Sequence, residues 1–202
     1  MGLKIVDNIG KIQNGLFSAL VNKIYPDMVR KVPKVKQALK NEIRIALLES
    51  PAIQSLSSGL LKADFGLTTD PTAEIIEAVV NTTKVEYKTA RSKGNLIGSF
   101  EITVQRIGYG NLYALGISDQ AINGGSLPWL KWLLEAGDMI LIVDFGVEYG
   151  DHGRTGMAHM TSNNRPFKVN SSFSGTTEDN FITRAISSRR DQINNAIIRA
   201  LQ

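Results

Sequence analysis

The first fifty residues of the chain alternate apolar and polar positions with a helical period. Apolar residues recur three or four apart over residues 3–24, which predicts an amphipathic helix that ends at Tyr25-Pro26. Pro33 suits the first turn of a second helix that runs to about residue 47. These two segments predict a helical hairpin. With a short helix from Pro51 to about Ser57, they make residues 1–57 a helical N-terminal appendage.

The next ninety residues mix one helix with segments of period two. LLKADFGL, residues 60–67, is expected to be an extended link, and Asp70-Pro71 begins a helix that ends near Asn81. Residues 84–91 and 98–107 alternate apolar and polar side chains, which predicts an antiparallel hairpin around residues 92–95. Residues 108–116 are a further strand or a loop, and residues 117–126 are a connector.

A predicted helix with two tryptophans and a strongly apolar predicted strand follow. In SLPWLKWLLEAGD, Ser126 can cap a helix that Gly137 stops, and MILIVDFGVEY, residues 139–149, has the composition of a central strand buried on both faces. A short strand is predicted over residues 155–161. Residues 70–161 are therefore the expected core, a mainly antiparallel sheet of about four strands.

The last forty residues divide into an irregular arm and a helix. The arm, residues 162–177, is too polar to form a core of its own, and it has no strand nearby in sequence to pair with. We expect it to reach across a subunit boundary through its apolar residues Phe167, Val169 and Phe173. A long C-terminal helix over residues 178–201 is capped by Thr176 or Thr177. The fold class is α+β in a single domain.

Several of these segments together resemble a known group of proteins. The PWLKWLL helix, the strand after it, the GRTGMAHM hairpin, and then PFKV, FSGT and NFITRAI are similar to virion structural proteins of tailed bacteriophages, of the neck, head–tail connector or tail-terminator type. The likeness covers residues 50–200 loosely and residues 127–186 more tightly. It implies a non-enzymatic subunit of a six- or twelve-fold ring that contacts portal or adaptor proteins and the tail tube or sheath.

The amino-acid composition excludes some kinds of structural and metal site. The 202 residues contain no cysteine, which excludes a disulfide scaffold and a thiolate zinc site. We expect a soluble protein that is cytoplasmic when synthesised, because the start lacks a signal-peptide pattern and no run is long enough to span a membrane. The resemblance implies that this cytoplasm is the host's and that the protein later belongs to the virion. The net charge is +4, and residues 1–50 hold nine Lys or Arg against four Asp or Glu.

Candidate functional residues fall into three sets. His152 and His159 flank GRTGMA, but their spacing lacks the geometry of a metal pair, so we expect no metal, cofactor or catalytic residue there. Trp129 and Trp132 are either interface anchors or core residues. A basic ridge of one helix is expected to face a protein partner or DNA, and it consists of Lys34, Lys36, Lys40 and Arg44.

Three functions remain open from the sequence. The first is a structural ring subunit at the phage head–tail junction, with a lumen for DNA. The second is a protein that binds DNA nonspecifically through residues 23–44, since no sequence-reading motif is present. The third is a small hydrolase around the two histidines.

Overall fold

A computed structural model describes residues 9–92, 95–104, 108–122, 125–162 and 165–202. Across these ranges the chain forms eight helices and six short strands, so the predicted α+β class is confirmed. Strands and helices are interspersed along the middle of the chain, and helices occupy both ends.

The longest element is helix α1, Ile9–Leu48. The predicted helical hairpin is wrong, because Pro26 and Pro33 lie inside this one continuous helix. A proline removes one backbone donor and tends to kink a helix, but it does not by itself reverse the chain, and no glycine lies between the two prolines to form a turn. The C-terminal half of α1 buries a row of residues four apart, Val35, Leu39, Ile43 and Leu47.

Three helices follow α1, namely α2 (Pro51–Ser58), α3 (Leu60–Asp64) and α4 (Thr72–Thr82). The expected extended link over residues 60–67 is wrong, because α3 occupies most of it and buries Leu61 and Ala63. The start of α4 confirms the prediction for Asp70, whose carboxylate accepts hydrogen bonds from the Thr72 backbone N–H (2.9 Å) and hydroxyl (2.6 Å).

The strands form three separate antiparallel pairs within the described ranges, not one four-stranded sheet. Strands β1 (Lys84–Ser92) and β2 (Asn95–Thr103) confirm the predicted hairpin, whose turn residues 93–94 lie outside the described part. The second pair is β3 (Gln120–Ile122) with β4 (Gly125–Leu127). The third is β5 (Gly146–Tyr149) with β6 (Ala158–Thr161), so the predicted central strand is reduced to its last four residues.

Helix α5 (Gly110–Tyr113) lies where a strand or a loop was expected. Helix α6 (Trp129–Glu135) is the predicted tryptophan helix, but Ser126 does not cap it. Ser126 belongs to β4, and its hydroxyl donates to the Asp119 carboxylate (3.0 Å). Pro128 occupies the N-cap position instead.

The C-terminal helix is divided at Arg189 into α7 (Phe181–Ser188) and α8 (Arg190–Leu201). Asn180, not Thr176 or Thr177, caps α7. Its side-chain oxygen accepts from the backbone N–H of Ile182 (3.1 Å) and Thr183 (3.4 Å), an arrangement that the apolar pattern does not reveal. Thr176 instead accepts from the Asp179 N–H (3.1 Å), ahead of the helix.

The core forms where the C-terminal half of α1 meets the shorter helices, and α8 packs along α1. Its largest fully buried side chains come from α1 to α7, and include Trp129, Leu39, Ile43, Leu56, Leu61, Ile75, Leu112, Leu130, Leu133 and Ile182. No helix of the described residues combines the length and the apolar character that a membrane span requires.

Candidate protein–protein interface

The loop between α6 and β5 exposes the most apolar segment of the chain. Met139, Ile140, Val143 and Phe145 are 66%, 56%, 69% and 43% exposed. This run was expected to be a buried central strand, and that prediction is wrong. A hydrophobic segment has the same sequence pattern whether its own chain or another molecule covers it, so the sequence could identify the residues but not their exposure.

The backbone of this loop is held by the arm that follows β6. The Leu141 N–H donates to the Phe167 carbonyl (2.8 Å), and the Phe167 N–H donates to the Ile142 carbonyl (2.7 Å). The arm therefore has a pairing partner within its own chain, contrary to prediction. These bonds turn Leu141 and Ile142 partly inward and leave their apolar neighbours directed to solvent.

The predicted interface anchors are mostly core residues. Trp129 is 0% exposed and its indole N–H donates to the Ile117 carbonyl (2.7 Å), and Phe167 and Val169 are 5% and 1% exposed. These three candidate interface side chains lie in the core of this chain, which for Trp129 is one of the two roles that the sequence left open. Trp132 and Phe173 are half-buried against the core. The ring of Phe167 lies 6.4 Å from the ring of Trp132, so this part of the arm is anchored by aromatic contacts.

An open groove of about 970 Å³ lies beside the exposed loop. Its lining is mainly apolar and comes from the end of α3, strands β3 to β6 and the loop itself, including Phe65, Leu127, Ile142, Phe145, Val147 and Met160. Asp64, Arg154 and His159 are the charged or titratable residues of the lining. A groove of this size and composition suits apolar side chains of another molecule.

Asp64 stands at the edge of the groove. Tyr149 donates its hydroxyl to the Asp64 carboxylate (2.5 Å), which ties β5 to the end of α3. Burial raises the pKa of the Asp64 carboxyl above its ordinary value, and the hydrogen bond from Tyr149 opposes that rise. Loss of water around the Asp64 carboxylate is therefore unfavourable, and the hydrogen bond from Tyr149 only partly offsets that cost.

The two histidines lie close together without forming a recognisable reactive site. Their ring centroids are 5.3 Å apart in an edge-to-face arrangement, and His159 Nδ1 is buried with no hydrogen-bond partner. Among the described residues no three histidine or carboxylate side chains converge as a metal site. Within the described ranges the histidine pair is therefore a contact between two rings with no third metal ligand beside it.

The predicted basic ridge is partly turned toward α4. Lys36, Lys40 and Arg44 follow one another at four-residue spacing and share a helix face, whereas Lys34 is displaced around the helix by about 80° or more. Arg44 donates to the Glu77 carboxylate (2.9 and 2.7 Å), and Lys40 contacts the Asn81 side-chain oxygen (3.4 Å). The four residues therefore do not project as four independent cations.

No protein-family model matches this chain, and neither the curated proteins nor the solved structures gave a significant match. The function has to be inferred from the residues and their geometry.

Proposed function

We propose that the protein is a structural subunit of an oligomeric ring at the head–tail junction of a tailed bacteriophage, as a neck, connector or tail-terminator protein. The observation that carries the proposal is the exposed apolar loop of residues 139–145. Large apolar patches on soluble proteins are usually covered by a partner. The resemblance of residues 127–186 to phage virion proteins supports the proposal that the partners are other proteins of the phage particle.

The fold is suited to such a role because the exposed apolar side chains are held in place. The loop is held at its start and in its middle by hydrogen bonds to the arm, with the Gly137 N–H donating to the Gly175 carbonyl (2.9 Å) and the Leu141 N–H to the Phe167 carbonyl (2.8 Å). A preorganised patch loses less conformational entropy on association than a flexible one. The ring would have six or twelve copies, assemble in the host cytoplasm and remain in the virion between portal-side and tail proteins.

Nonspecific DNA binding is less well supported by the geometry. Each phosphate contact contributes about −0.9 to the slope of log affinity against log salt, so four free cations would give a slope near −4. Arg44 and Lys40 are already engaged with α4. Lys34 and Lys36 lie about 160° apart around the helix and cannot face one DNA surface together, so we expect a slope nearer −1 than −4, which fits a lumen that lets DNA pass without tight binding.

The test is to purify the protein and measure its mass by light scattering, alone and after mixing with the portal and tail-tube rings of the same phage. We expect a closed ring with a central channel by electron microscopy, formed alone or on one of those rings. A protein that stays monomeric in every mixture refutes the proposal.

A matched pair of variants connects assembly to the loop. Changing Met139, Ile140 and Val143 to Ser alters only exposed side chains, so the chain should fold normally and fail to assemble. Ile198 on α8 is equally exposed at 55% but lies in another element, and Ile198→Ser should assemble as the parent does. Normal assembly of the loop variant would show that this loop is not the interface.

A further inference from the structure

We propose that the N-terminal part of α1 in one copy docks into the apolar groove of the next copy, and that this head-to-tail contact builds the ring. The inference rests on the proposed function and specifies which surfaces of the subunit meet. Two observations point to it: a helix segment with an exposed apolar row, and an open, mainly apolar groove elsewhere on the same molecule.

The helix segment extends past the rest of the helical core. Lys31 donates its ammonium to the carbonyl of Leu201, the last residue of α8, so residues 9–30 continue beyond the C-terminal end of that helix. Twenty-two helical residues span about 33 Å. The hairpin of β1 and β2 contacts one side of the segment, where the rings of Tyr25 and Tyr87 are 6.0 Å apart.

Another side of the segment carries an exposed apolar row. Leu16, Leu20 and Ile24 follow one another at four-residue spacing and are 61%, 38% and 36% exposed. Apolar residues at this spacing form a continuous stripe on a helix. An amphipathic helix laid into a hydrophobic groove is a recurrent mode of protein recognition, and it uses anchors at this spacing.

The groove offers the matching surface. It is open, about 970 Å³ in volume and mostly apolar, and it is continuous with the exposed loop through Phe145 and Ile142. Arg154 also lines the groove, but its guanidinium donates to the Ala121 carbonyl (2.9 Å). That cation is therefore held against the wall of the groove.

The charges of the two surfaces are complementary. Residues 9–30 hold three Lys or Arg and one Asp, whereas residues 138–149, which form the loop and β5, hold three Asp or Glu and no Lys or Arg. Lys23 and Asp144 are both exposed. Opposite charges around an apolar contact favour encounter in one orientation, and like charges disfavour the pairing of each surface with itself.

The opposite charges of the helix segment and of the loop with β5 favour a contact between two different surfaces of the subunit. Two different surfaces of one subunit that bind each other form a heterologous interface, which closes into a ring when the rotation between copies permits. A second copy is therefore the occupant that the structure favours, because the chain carries both halves of the contact.

Cysteine cross-linking can test the contact directly, since the native chain contains no cysteine. Leu20 is the middle residue of the helix row, and Met160 lines the groove on β6 and is 37% exposed. In the assembled ring, a Leu20→Cys/Met160→Cys variant treated with a bis-maleimide should give a ladder of covalent oligomers up to the full ring. Each single variant should give none.

The control moves the helix cysteine to the opposite side. Asn22 is exposed on α1 and lies about 200° around the helix from Leu20, so Asn22→Cys/Met160→Cys should give no ladder. A ring that forms without the ladder, or in which Leu20→Cys alone cross-links to itself, overturns this inference and leaves the ring proposal standing. Failure to form any ring overturns both.

Discussion

Replacing Asn180 by Ala should destabilise the protein more than any comparable change at a surface asparagine. Asn180 is 0% exposed and occupies the junction between the arm and α7. Its side-chain oxygen accepts from the backbone N–H of Ile182 and Thr183. Its side-chain amide donates to the Tyr109 hydroxyl (2.6 Å) and to the Thr176 carbonyl (2.9 Å).

The magnitude follows from these contacts. Loss of an N-cap costs about 1 kcal/mol, and each of the two donated bonds contributes about 1 kcal/mol net. Tyr109 keeps one bond, because its hydroxyl donates to the Thr177 carbonyl (3.0 Å). We therefore expect Asn180→Ala to lower the free energy of unfolding by about 2–4 kcal/mol, and Tm by about 4–16 °C for a domain of this size.

Urea denaturation and thermal melting measure the effect, with two controls. Asn180→Ser keeps a side-chain oxygen that can cap the helix and loses only the two donated bonds, so its loss of stability should be smaller. Asn195→Ala makes the same substitution at an exposed position of α8 and should change stability by less than about 0.5 kcal/mol. An Asn180→Ala protein as stable as the parent would refute this account of the junction.

Two further predictions concern the groove. Gly153→Ala should disrupt the β5–β6 hairpin, because Gly153 has φ +76° and an added Cβ would lie 2.1 Å from the Ala158 carbonyl oxygen. Gly156→Ala, at φ +64° with open space around it, should cost only about 1 kcal/mol of backbone strain. Hydrogen exchange of residues 146–161 compares the two variants. Asp64→Asn should raise the free energy of unfolding at pH 7, because burial raises the folded-state pKa of this carboxyl while an amide oxygen can still accept from Tyr149.

The direction of the Asp64 pKa shift determines how the effect of Asp64→Asn on stability depends on pH. A folded-state pKa above the unfolded value means that the parent loses stability as pH rises from the unfolded pKa, 3.8, through the folded one. The advantage of Asp64→Asn should therefore disappear in denaturation measurements below about pH 3.8, where the carboxyl is protonated in both states. An advantage that stays constant with pH would contradict a desolvated Asp64. Equal hydrogen exchange in the two glycine variants would contradict the close approach at Gly153.

Local sequence patterns were enough to predict those helices and strands whose stabilising contacts come from residues near in the chain. The alternation over residues 84–91 and 98–107 predicted the β1–β2 hairpin, in which residues 98–103 belong to β2, and Asp70-Pro71 predicted the start of α4. Strand pairing across a short turn and hydrogen bonds from a side chain to the backbone two residues on depend on neighbouring residues. The helical periodicity of residues 9–24 was also recognised. The sequence could not tell that the helix continues through both prolines, since packing of residues 35–47 stabilises what local propensity disfavours.

Only the tertiary structure decided which apolar residues find cover within the chain. The sequence made Trp129 and Phe167 interface candidates and placed Val143 in a buried strand, yet Trp129 and Phe167 are buried and Val143 is 69% exposed. Hydrophobicity shows that a side chain is stabilised by leaving water, but the surface that covers it is set by contacts distant in sequence, such as the pairing of Phe167 with Ile142. The fold therefore separates the core from the surfaces that a neighbouring copy is proposed to bury.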